Sequence, residues 1–202
     1  MLRGATFFTS RSTISSEIPL ADIQGPVIFA LNHSSWTDPM LFAAKLPYSV
    51  VKAISPLYFM TGEKFYKKLW LRPLLIISGG LKIKSKGFSV KDFFGDSLKK
   101  IEAGGSILIF PEGKIVGNNT KTQAKTGVIY LAQTAQIPII PVRIKGIRKF
   151  SIKTSLTSKA HIKLFIHEPI GIQTSLHGYQ QHRLEAQKLI KIIYRKVRHE
   201  SV

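Results

Sequence analysis

Short apolar runs alternate with longer stretches of helical period along this chain. Strands are predicted over Val27 to Leu31, Ser49 to Lys52, Leu81 to Lys84, Ile107 to Phe110, Ile139 to Ile144 and Ile162 to His167. Helices are predicted over Pro39 to Leu46, Tyr58 to Leu69, Val90 to Glu102, Thr126 to Thr134 and Tyr179 to Arg198. Val90, Phe93, Phe94, Leu98 and Ile101 recur near helical spacing until Gly104-Gly105 stops the helix. In the last helix Leu189, Ile190, Ile193 and Val197 form one stripe, and Lys188, Lys191, Arg195, Lys196 and Arg198 form the other face. Both apolar stripes read as core faces.

Alternation of this kind predicts an α/β fold, a single domain over residues 1–202 with a largely parallel central sheet flanked by helices. The prolines of Ile137-Pro138-Ile139-Ile140-Pro141-Val142 fit an edge strand or a strand terminus better than a sheet centre. Sites in such folds gather where parallel strands end. His33 and Glu112 each follow an apolar run, so they can share one cleft across 79 positions.

The first candidate chemistry is Asn32-His33-Ser34-Ser35-Trp36-Thr37-Asp38. A carboxylate that holds one imidazole nitrogen fixes the tautomer and leaves the other nitrogen as a general base near neutral pH. Asp38 can do this for His33, in a turn entering a helix with Thr37 or Asp38 as cap and Pro39 at its first position. A surface histidine beside a capping aspartate is the plain alternative. Phe110-Pro111-Glu112-Gly113-Lys114 places a second carboxylate after a buried strand.

The blocks NHSSWTD, FPEGK and IPIIPV, in this order, resemble the first, third and fourth sequence blocks of the glycerolipid acyltransferases related to 1-acylglycerol-3-phosphate acyltransferase. The resemblance spans roughly residues 26–146 and takes in Val51-Lys52-Ala53 and Ala124-Lys125-Thr126-Gly127. It implies acyl transfer from a thioester, acyl-CoA or acyl carrier protein as co-substrate, to the hydroxyl of a lysolipid. In family terms His33 takes the proton, Asp38 orients it, and the alkoxide attacks the thioester without an acyl-enzyme. The chain has no cysteine nucleophile, and an acyl-enzyme on Ser34 or Ser35 is the competing chemistry. Glu112 and Gly113 match the acceptor-binding block, with Lys114 where the family carries Thr or Ser; Lys114 either adds charge for a phosphate or is simply solvated. The second block departs further, because Ser85 stands at the position of its phosphate-binding arginine. Lys82, Lys84 and Lys86 alternate with apolar residues there, as point charges for a phosphate or as a solvated edge-strand face. Lysophosphatidate is the acceptor the resemblance supplies, with another lysophospholipid or lysolipid as one alternative and a non-catalytic basic lipid-binding or nucleic-acid-binding protein as the other.

Composition narrows the partners. A formal charge of +19 on 202 residues points to an acidic partner surface. No nucleic-acid-binding signature accompanies it, so no nucleic acid is expected. Between Tyr58 and Ile77 aromatics interleave with Lys and Arg, which suits contact with an anionic membrane surface; a core helix with a basic outer face is the alternative over Tyr58 to Leu71. The run is broken by Lys67, Lys68, Arg72 and Pro73 and does not read as a spanning helix. Met1 to Ser16 lacks the apolar stretch of a signal peptide, and the membrane anchor that family members often carry before the first strand reads as shortened. The expectation is a peripheral protein on the cytoplasmic face of the membrane. The other histidines, His161, His167, His177, His182 and His199, show no metal-ligand pairing, and no metal or redox cofactor is expected.

Overall fold

The computed structural model describes residues 11–69, 72–83, 90–116, 122–146 and 161–195. Among these residues seven strands form one sheet: β1 Arg11–Ser16, β2 Ile28–Leu31, β3 Leu57–Gly62, β4 Gly80–Ile83, β5 Ser106–Ile109, β6 Ile139–Lys145 and β7 His161–Ile166. Their spatial order is β1-β7-β6-β2-β5-β3-β4. Every pairing is parallel except β6 with β7. The α-helices among the described residues are α1 Asp38–Lys45, α2 Tyr48–Ala53, α3 Glu63–Tyr66, α4 Arg72–Ile77, α5 Val90–Glu102, α6 Gly127–Ala135 and α7 Gly178–Tyr194. The predicted α/β fold with a largely parallel sheet is the fold observed.

The central strands are buried on both faces, as a parallel sheet covered by helices requires. Phe29, Leu31 and Leu108 pack with Leu41, Phe42, Val50 and Ile54 of the α1–α2 side. The alternate residues Ile28, Ala30, Ile107 and Ile109 pack with Phe94 of α5, Val128 and Leu131 of α6, and Leu189 and Ile193 of α7. Each strand thus feeds two cores through its period of two. Apolar burial of this extent is the main stabilising term of such a domain.

Three expectations are corrected. Ser49 to Lys52 is not a strand but part of α2, because Leu46, Val50 and Ile54 recur every fourth residue and all three are buried. Tyr58 to Leu69 is not one helix. Its first half is β3, where Phe59 and Thr61 point to one face while Tyr58 and Met60 pack into the other core, and only Glu63–Tyr66 turns helical. The pairing of β3 with β5 on one side and β4 on the other outweighs the helical spacing of that stretch. β6 is an interior strand despite Pro141, while Pro138 directly precedes it, at the strand terminus that the expectation allowed. Between the pairs Ile139↔Ile170 and Val142↔Ile166, β6 advances three residues while its neighbour advances four, and Pro141 falls in this irregular step. β1 was not anticipated, since RSTISS offers only Ile14 as an apolar anchor; it lies at the sheet edge against β7.

A polar cluster joins that edge to the last helix. Glu17, just after β1, takes Arg195 at 2.5 Å and lies 3.3 Å from Nδ1 of the fully buried His167. Burial pushes the His167 imidazole below its ordinary value, opposing the pull of Glu17, and Arg195 and Arg143 add to the lowering. Burial alone would raise Glu17, but His167, the Glu168 N–H and Arg195 outweigh it and hold the carboxyl low. A histidine held low in the fold binds its proton more readily when unfolded. Its stabilising contribution is therefore present above about pH 6.5 and lost as the pH falls below that value. Urea unfolding should show stability declining from about pH 7.5 to about 5.5, and His167→Phe should flatten this decline. Equal slopes in the two proteins would remove His167 as the titrating group.

Candidate active site

The register of β2 and β5 builds the site. Ala30 is level with Ile109, and His33 and Glu112 each lie three residues further on. The two loops leave the sheet side by side, and the backbone N–H of His33 donates to Glu112 Oε1 at 3.4 Å. Asn32 fixes the exit of β2. It is buried, its Nδ2 donates to the Ile144 carbonyl at 3.1 Å, and its Oδ1 accepts the Ile144 N–H at 2.6 Å. The side chain thereby continues the β2–β6 ladder by one step beyond Leu31.

The turn from Asn32 to Asp38 folds around one carboxylate oxygen. Asp38 Oδ2 accepts the backbone N–H groups of Ser34 at 2.7 Å and Ser35 at 2.9 Å, and His33 Nδ1 lies 3.0 Å from it. Asp38 is the first residue of α1 and is 0% exposed. Thr37 stands at the N-cap position as expected, but no side chain caps the helix, Pro39 is its second residue rather than its first, and the Asp38 carboxylate turns back into the loop. With two backbone donors already on Oδ2, the third contact has the imidazole donating from Nδ1. Nε2 then carries the lone pair, and among the described residues it has no partner. Phe110 stacks on the imidazole at 3.9 Å between centroids and 14° between planes, fixing the ring plane.

Glu112 is 3% exposed. Burial pushes its carboxyl above the ordinary range, against the hydrogen bonds it accepts. The Tyr194 hydroxyl donates to Oε1 at 3.0 Å, and Oε2 has no partner among the described residues. Tyr194 ends α7, and its own pKa is raised by burial first and then by the Glu112 charge. Arg143 lies 5.5 Å from the Tyr194 ring centroid and donates to the Tyr194 carbonyl at 3.3 Å.

His33 borders an apolar cavity of about 690 Å³ whose wall includes Met40, Phe59, Phe65, Phe93 and Ile109. Trp36 and Ile115 also line it and remain largely exposed to solvent. Gly113 and Lys114 belong to this wall as well. Gly113 has φ +64°, a conformation that favours glycine, and a Cβ there would meet the side chain of Lys125.

The structure thus brings together His33, Asp38, Glu112, Gly113 and Lys114. It does not bring Lys82 to them: that ammonium is 47% exposed, pairs with Glu63 at 3.2 Å and does not line the apolar cavity. The alternation of β4 turns Lys82 outward, while Ile83 joins the cavity wall. Lys84 lies outside the described residues, as do Ser85 and Lys86. Tyr194, Asn32, Phe110 and Lys125 were not anticipated in the site. Asn32 carried a signal, a polar residue ending a buried strand; Tyr194 carried none, because only the packing of α7 brings it to Glu112. Among the described residues no group of three or more His, Cys, Asp or Glu is placed to hold a metal ion.

Two comparisons bear on this arrangement. A crystal structure of the 1-acyl-sn-glycerophosphate (LPA) acyltransferase PlsC from Thermotoga maritima superposes with a TM-score of 0.58 at 16% sequence identity, covering 91% of this chain and 70% of that one. That likeness shows a shared fold. The family model named Acyltransferase matches residues 9–145, a span that contains His33, Asp38 and Glu112. On that match, the chain belongs to the Acyltransferase family and is an acyltransferase enzyme.

Proposed function

We propose that this enzyme moves a fatty acyl group from an acyl-CoA or acyl carrier protein thioester to the free hydroxyl of a lysolipid, with 1-acylglycerol-3-phosphate as acceptor and phosphatidate as product. The observation that carries the reading is the His33–Asp38 pair at 3.0 Å, with Nε2 unengaged at an apolar cavity. In this reading His33 Nε2 takes the proton of the acceptor hydroxyl as that oxygen attacks the thioester carbonyl. The C–O bond forms, the C–S bond breaks, and the imidazolium returns the proton to the leaving thiolate. Asp38 fixes the tautomer and stabilises the imidazolium. The apolar wall from Met40 to Phe93 suits a fatty acyl chain.

The hydroxyls next to His33 support direct transfer over an acyl-enzyme. Ser34 Oγ accepts from Asn32 Nδ2 at 3.0 Å, and Ser35 Oγ bonds with Thr37 Oγ1 at 3.0 Å. The reading includes an anionic membrane as the surface from which the lysolipid comes. Leu69, Ile76 and Ile77 are exposed beside the exposed Lys67, Lys68 and Arg72, the pairing of apolar and cationic groups that an anionic interface favours. Among the described residues no helix is long and apolar enough to cross a membrane.

Labelled acyl-CoA and acyl carrier protein, offered with a panel of lysolipids in anionic vesicles, test the proposal. His33→Ala and Asp38→Asn should each lower kcat by about 10² to 10⁴ without unfolding the protein. Transfer that survives His33→Ala would sink the assigned base, and the acceptor used fastest names the substrate. Tyr194→Phe keeps the ring against Arg143 but removes the hydroxyl donated to Glu112. It should cost about 1 kcal/mol of stability and lower kcat/KM severalfold. Unchanged kinetics and an unchanged Tm would dissociate Tyr194 from the site.

A further inference from the structure

A second concave surface adjoins the apolar cavity and differs from it in chemistry. It is a groove of about 1170 Å³ between the loop after β5, the residues entering α6 and the solvent side of α7. Lys114, Lys125 and Arg183 line it, with Thr126, Gln187 and the buried Glu112 in the same wall. Lys114 and Lys125 also line the apolar cavity, so the two spaces meet beside His33.

The three cations decide what the groove can hold. Elsewhere Lys82, Lys188 and Arg195 each take a carboxylate within 4.0 Å. Among the described residues no carboxylate pairs with Lys114, Lys125 or Arg183. Lys125 is held at the groove by its surroundings: its N–H donates to the Pro111 carbonyl at 2.8 Å, and its side chain crosses the bare α-carbon of Gly113. An added Cβ at Gly113 would stand 2.9 Å from Lys125 Nζ, so this glycine leaves room for the ammonium as well as for the turn. Among the described residues Glu112 is the one carboxylate in the wall, and its burial disfavours the charged form. Three cations against at most one anion leave the groove positive, and a bound anion relieves their mutual repulsion.

We infer that this groove seats a phosphate ester group of one of the two substrates, with Arg183 of the C-terminal helix as its planar donor and Lys114 and Lys125 as flanking charges. Guanidinium matches phosphate oxygens two at a time, which a lysine cannot do. Arg183 lies beyond residues 9–145, so its guanidinium is a contribution of α7, while Lys114 and Lys125 belong to the span that the family model matches. Which substrate is seated rests on the proposed acyl transfer; the anion site does not. The phosphate belongs either to the headgroup of the lysolipid or to the phosphate-bearing arm of the donor.

The test titrates inorganic phosphate at constant ionic strength, followed by phosphorus NMR line broadening, into the wild type, Arg183→Gln, Lys125→Gln and Lys191→Gln. Lys191 is an exposed cation of α7 outside the groove and matches the charge change. The wild type and Lys191→Gln should bind saturably, and the two groove variants about tenfold more weakly. Equal affinity in all four proteins, or no saturable binding by the wild type, overturns the seat. Steady-state kinetics of Arg183→Gln then identify the source. A KM raised about tenfold for the lysolipid, with kcat retained, assigns the acceptor headgroup, and the same rise for the thioester assigns the donor. Unchanged KM for both overturns the assignment to a substrate. Phosphate binding without any acyl transfer by the wild type upholds the anion seat and strikes the proposed reaction instead.

Discussion

The parallel pairing of β2 with β5 is the constraint on which the rest of this molecule depends. Ile28, Phe29 and Ala30 stand level with Ile107, Leu108 and Ile109, and all six are buried between two helical layers. A slip of one residue would turn every side chain of β2 to the opposite core, so the register is held by both packing faces at once. That register makes the two loops leave the sheet at the same height. His33 and Glu112 meet because the sheet allows them no other relative position.

The polar groups beyond the strand ends are expensive to bury, and the two carboxyls among them are engaged through one oxygen each, while Asp38 Oδ1 and Glu112 Oε2 have no partner among the described residues. Asp38 loses all its water, a cost that its two backbone donors and the imidazole offset at a single oxygen. Asn32 loses its water and recovers two hydrogen bonds from Ile144. This exchange ties β2 to β6 on one side while β5 holds it on the other. The histidine between these two anchors has its backbone fixed, its ring plane set by Phe110 and one nitrogen spoken for. Rigid placement of this kind is what a general base needs, since an error of an ångström at the reacting atom costs more than any single hydrogen bond supplies.

The C-terminal helix completes what the two loops begin. Through Leu189, Ile190 and Ile193 it packs into the same core as β5 and α6, and through Tyr194 it reaches the carboxyl of Glu112. Arg195 then anchors its end to Glu17 beside the edge strand β1. The helix is thus fastened at the core, at the site and at the sheet edge. The polar groove is walled by this helix as well as by the loop that carries Glu112 and Lys114.

The sequence by itself determined the elements whose signal is local. Buried strands of four to seven residues, helices with a stripe at every third or fourth position, and the five-residue spacing of His33 and Asp38 all follow from near neighbours in the chain. The turn between those two residues folds around the Asp38 carboxylate, while Ile144 fixes the Asn32 that opens it and Phe110 sets the imidazole plane. Only the tertiary structure decided the rest. Tyr58 to Gly62 became a strand because β5 and β4 offered it partners on both sides, and Pro141 was accepted inside the sheet because the neighbouring strand carries an extra residue there. Lys82 read along the chain as a phosphate candidate like Lys114, yet the alternation of β4 turned it to Glu63 and solvent. Tyr194 and Arg183 read as parts of a basic amphipathic helix, and the packing of that helix against the sheet gave one of them a carboxyl partner and the other a groove. Local pattern fixes what a segment can be, whereas contacts between segments distant in sequence fix what its polar side chains face.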